Sequence, residues 1–124
     1  LREASRDPVS KVREKVYEVL RQGSFPSSVI LSAVLAGLGD PDSSVVYQVR
    51  QMAEGVPGLM DRVLKELQRR IDDPDPARRA QGYVGLSRAC EIDSTAISIL
   101  LRGVDDRKAE VRIAAIHALD ETTA

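Results

Sequence analysis

The side chains best placed to do chemistry are two carboxylate pairs, Asp72–Asp73 and Asp105–Asp106. The first pair opens the stretch "DDPDPARRAQGYVGL", in which Arg78 and Arg79 follow within one helical turn's reach. Paired carboxylates can hold Ca²⁺ or divide general acid and base work, and adjacent arginines can grip a phosphate. Neither acidic pair is followed by the alternating oxygen ligands and distal Glu of an EF-hand loop. His117 is the only histidine and Cys90 the only cysteine, and no H-E-x-x-H or C-x-x-C motif is present. One His and one distant Cys do not make a zinc site without carboxylates. His117 is therefore expected on the solvated surface. Cys90, with no histidine nearby in sequence to activate it, is expected buried and inert. No G-x-G-x-x-G or P-loop occurs. No catalytic, metal or cofactor residues are expected, and the chain reads as a non-enzyme.

The acidic pairs have a simpler origin, because they recur. Asp7, Asp40, Asp73 and Asp106 are spaced by 33 residues, and Pro8, Pro41 and Pro74 follow the first three, with Arg107 in the fourth place. Five positions past each Asp stand Val12, Val45, Arg78 and Val111; six past stand Arg13, Val46, Arg79 and Arg112. Thirteen past come Leu20, Ala53, Leu86 and Leu119. Self-similarity at such a period is the mark of a repeat architecture.

Each repeat reads as two helices. After the Asp turn, Val12, Val16, Val19 and Leu20, and likewise Val111, Ala115, Ala118 and Leu119, fall at steps that keep one helical face apolar. Before it lies a partner helix: Ile30, Leu31, Val34, Leu35 and Leu38; then Val63, Leu64, Leu67 and Ile71; then Ala96, Ile97, Leu100, Leu101 and Val104. Pro26 and Pro57 suit first-turn positions, Asp93 or Ser94 suits an N-cap, and the four recurring aspartates suit the starts of the second helices. No stretch alternates with period two, and no Asn-Gly or Asp-Gly hairpin signal appears. The expected fold is all-α: an α-α superhelix of stacked helical hairpins with a 33-residue repeat, one domain over 1–124, with repeats at about 1–22 (partial), 26–55, 57–90 and 93–121. Leu1 falls in the column of Val34, Leu67 and Leu100. The chain is accordingly expected to begin midway along a helix, as a piece of a longer array. Gly82 and Gly85 sit inside a helix, where each costs about 1 kcal/mol against Ala; close packing against a neighbour is the expected reason.

These columns resemble the HEAT repeat, in particular its short bacterial HEAT-like form, whose unit is a helix, then D-P-D-x-x-V-R, then an alanine-rich helix ending in Leu. "DPVSKVREKVYEVL" (7–20), "DPDPARRAQGYVGL" (73–86) and "DDRKAEVRIAAIHAL" (105–119) match that pattern, while "DPDSSVVYQVRQMA" (40–53) carries Val46 in place of Arg. The resemblance covers essentially the whole chain and implies an ARM-type or HEAT-like solenoid. It implies that Asp7, Asp40, Asp73 and Asp106 with Arg13, Arg79 and Arg112 form a ladder between neighbouring repeats, interrupted at Val46. A carboxylate at a helix start and an arginine fork reaching along the stack are physically suited to that role. Arg78 is expected to pack its stem and turn its head to water. In HEAT-like solenoids the second helices line a concave side. The resemblance also admits two rivals: a cofactor-handling protein like the bilin lyases, and a DNA-binding module like the HEAT-like glycosylases. HEAT-like hydroxylases hold iron with His-Glu dyads, which "IHALDE" (116–121) does not reproduce.

Charge and composition choose among these. Eighteen basic against 19 acidic residues leave a net charge of −1, without the rows of Lys and Arg that displace counterions from nucleic acid. Aromatics make up 3%, so small and aliphatic side chains must build the core. The longest apolar stretch, "VILSAVLAGL" (29–38), is about half of a bilayer span, and the chain opens without a signal-peptide layout. A lone cysteine suggests a reducing compartment, the cytoplasm by default. Outward positions on the second helices mix charge, polarity and a few apolar groups. A protein or peptide partner is expected there, with Tyr47, Gln51, Val84, Ile113 and His117 in contact and Glu14 and Glu18 shaping specificity. The sequence leaves the oligomeric state open.

Overall fold

A computed structural model describes residues 4–89 and 94–123, leaving out the side chains of Ser5 and Thr123. The expectations for Leu1, Cys90 and Asp93 lie outside the described residues. Among the described residues the chain is all-α: a short 3₁₀ turn at Ala4–Arg6, then α1 (Ser10–Gln22), α2 (Ser27–Gly37), α3 (Ser43–Gly55), α4 (Leu59–Ile71), α5 (Pro76–Ala89), α6 (Ser94–Val104) and α7 (Ala109–Thr123). None of these helices is long and apolar enough to cross a membrane. The chain divides into two compact units, Leu1–Val63 and Leu64–Ala124, with the boundary inside α4.

The turns that start the second helices differ in detail from the sequence expectation. Asp40 is not the cap of α3. Its Oδ1 accepts the N–H of Asp42 at 2.9 Å, and Asp42 is the N-cap, accepting the Ser44 N–H at 2.9 Å and the Ser44 hydroxyl at 2.6 Å. The Ser44 bonds hold the Asp42 carboxyl below its ordinary value. Asp73 likewise accepts from the Asp75 N–H, and Asp75 in turn from the Ala77 N–H at the start of α5. Asp7 and Asp106 accept from the N–H groups of Val9 and Lys108. Each recurring aspartate thus builds a turn two residues ahead of the cap, which leaves its second oxygen available to another element. Pro26 occupies the N-cap position of α2 rather than its first turn. Pro57 lies before α4, next to Gly58, whose φ of 77° suits a residue without a Cβ.

In the first unit α1 packs on α3, and α2 on α3. Val16, Tyr17 and Leu20 of α1 are buried, as are Val34, Leu38, Val45, Val49, Met52 and Ala53. Val12 and Val19, read from sequence as core, are 38% and 39% exposed. The Tyr17 ring lies against Gly37 of α2: a Cβ there would collide with the phenol oxygen and with Val49. The phenol O–H donates to the Ala33 carbonyl at 3.2 Å.

Burial raises the Tyr17 hydroxyl from 10.0 to about 12, with the nearby Asp40 charge adding to the effect and Arg13 opposing it. Below pH 10 both folded and unfolded chains carry the neutral phenol, and its burial contributes in full. Between pH 10 and about 12 the unfolded chain ionises while the folded one does not, so stability falls as pH rises. The loss attributable to this group is on the order of 2 kcal/mol. Chemical denaturation at pH 9 and pH 11.5 should show it, with a smaller fall in Tyr17→Phe. Equal falls in both chains would place the alkaline sensitivity elsewhere.

In the second unit α5 packs on α7, α6 on α7, and α5 on α6. Its core joins Ile71, Tyr83, Leu86, Leu100, Val111, Ala115 and Ala118. Leu119, expected to fill the same column as Leu86, is only partly buried against it. Ile97 and Leu101, on the same expected apolar stripe, are 40% and 53% exposed. Gly82 meets α4 directly: a Cβ at this position would lie 2.8 Å from the Ile71 amide nitrogen and 2.9 Å from the Leu67 carbonyl oxygen. Close approach of two backbones accounts for this glycine, and Gly85 faces the Leu67 side chain.

Candidate functional site

One arginine organises the turn edge of each unit. In the first, Arg13 Nε donates to Asp40 Oδ2 at 2.7 Å and Nη2 to Asp40 Oδ1 at 3.1 Å, while Nη1 donates to the Asp7 carbonyl at 2.7 Å. In the second, Arg79 Nε and Nη2 donate to Asp106 Oδ2 and Oδ1, both at 3.0 Å, while Nη1 reaches the carbonyls of Asp73 and Pro74. A planar fork clamped on one carboxylate while its remaining arm is tied to the chain's own carbonyl is a rigid donor. Both pairs are largely shielded from water. The pairing raises each guanidinium above its ordinary value, and Arg79 holds the Asp106 carboxyl below its own. Asp72, Asp73, Pro74, Arg79, Asp106 and Arg107 line an open depression of about 580 Å³. Its central charges are spent on each other.

Arg112 repeats only half of this arrangement. Its Nη1 donates to the Asp106 carbonyl at 2.8 Å, and the residue is exposed. Arg78 is exposed too, with Nη1 3.9 Å from Asp73 Oδ2.

The residues expected to meet a partner fall in both units. In the first, Tyr47 and Gln51 lie one turn apart on α3 and are exposed, Tyr47 by 60%. Glu14 and Glu18 lie one turn apart on α1, half-buried, and with Lys11, Lys15 and Gln48 line a groove of about 330 Å³ between α1 and α3. Lys15 pairs with Glu18 at 3.0 Å. On the same helix as Tyr47, Arg50 keeps its Nε buried with no hydrogen-bond partner, and its guanidinium comes only within 3.9 Å of Glu54. In the second unit Ile113 is 53% exposed and His117, one turn on, is exposed as well, while Val84 of α5 is half-buried. Beside them Arg88 clamps Glu121 with Nε and Nη2 at 3.2 and 3.0 Å, which lowers the Glu121 carboxyl. Among the described residues no three His, Cys, Asp or Glu side chains gather to hold a metal ion.

No family model, curated protein or solved structure matches the chain.

Sequence reading missed two buried tyrosines that lie on the same helices as Arg13 and Arg79. Tyr17 and Tyr83, each one turn beyond its arginine, are both 3% exposed. They rest against Gly37 and Gly103: a Cβ on Gly103 would lie 2.9 Å from Tyr83 Cζ and 2.6 Å from the Ala115 Cβ. The signal is present at double the aspartate spacing. Arg13, Tyr17, Gly37 and Asp40 recur as Arg79, Tyr83, Gly103 and Asp106, each 66 positions later.

Proposed function

We propose that this chain is a non-enzymatic interaction module of the HEAT-like helical-repeat type that binds protein or peptide through the outward faces of its second helices. The observation that carries the reading is Tyr47, a large aromatic ring left 60% exposed on α3. It stands among Gln51 and Glu54, with Glu14 and Glu18 lining the adjoining groove. An aromatic anchor with a polar and charged rim is the composition that protein interfaces favour. The second unit offers a face of the same kind, with Ile113 and His117 outward on α7 and Val84 contributing an edge of its side chain. The aspartates at 33-residue spacing and the Arg–Asp pairs support the repeat type.

Crosslinking in a cell extract followed by affinity capture tests this reading, comparing the unaltered chain with Tyr47→Ala and with Ile113→Asp. A defined protein retained by the unaltered chain and lost from both variants is the expected result. Retention unchanged in both would sink the assignment of these faces. Both positions are exposed, so the variants should melt with the unaltered chain.

A further inference from the structure

We draw no further inference here: the strongest candidate, the groove between α1 and α3 lined by Lys11, Glu14, Lys15, Glu18 and Gln48, belongs to the face already described, and nothing in the structure shows what covers it, since its lysines and glutamates offset each other and select no charge in an occupant.

Discussion

Gly82→Ala is expected to destabilise the second unit, by about 1–3 kcal/mol, as overpacking of a tight contact does. The sign is the informative part. At an open helical position the same change raises stability by about 1 kcal/mol, because alanine has the better propensity and loses less chain entropy. At Gly82 the added methyl would press on the Ile71 nitrogen and the Leu67 carbonyl of α4, and backbone atoms cannot rotate out of the way as a side chain can. Either α4 and α5 move apart where Gly82 meets Leu67 and Ile71, or α5 shifts along its axis. Gly55, the last residue of α3, has nothing within 4 Å of its would-be Cβ. Gly55→Ala should therefore be neutral or mildly stabilising. Urea denaturation of the two variants separates the cases, and a gain at Gly82 would mean the helices do not approach as closely as described.

Leu86→Ala is expected to cost more, roughly 2–5 kcal/mol, because a buried leucine leaves a cavity that a packed core only partly fills. Leu86 is 3% exposed and sits with Tyr83 and Leu100 in the core of the second unit. Leu119 occupies the equivalent position of α7 but is only partly buried, so Leu119→Ala should cost clearly less. The pair is a test of register as well as of packing. Equal and large losses would mean that Leu119 is as fully packed as Leu86 and that the helix register is not the one described.

Helix content was legible in the sequence because apolar steps of three and four run through every segment, and the turns were legible because Asp and Pro recur with them. The inner and outer residues of each stripe were harder. Val12 and Val111 look alike in sequence, yet Val111 is fully covered and Val12 is not. Hydrophobic periodicity reports which face of a helix is apolar; whether a neighbour covers that face depends on the helix beside it. The aspartates were placed at the right turns but given the wrong bond, since an Asx turn and an N-cap ask for the same residue types two positions apart. Tyr17 and Tyr83 escaped notice because a tyrosine in a helix has no single meaning until the glycine opposite is known. The expected contact residues Tyr47, Gln51, Ile113 and His117 were legible as outward from periodicity alone, and Val84 less so, because α5 packs along a wider face.

The buried tyrosines also have an optical consequence. The chain contains no tryptophan and three tyrosines. Tyr17 lies in the core of the first unit, Tyr83 in that of the second, and Tyr47 stands in water. Near-ultraviolet dichroism and tyrosine emission are therefore reported almost separately by the two units. With Tyr47→Phe as the background, a single further Tyr→Phe change silences one unit and leaves the other as its own chromophore. Melting can then be followed unit by unit without attaching any label.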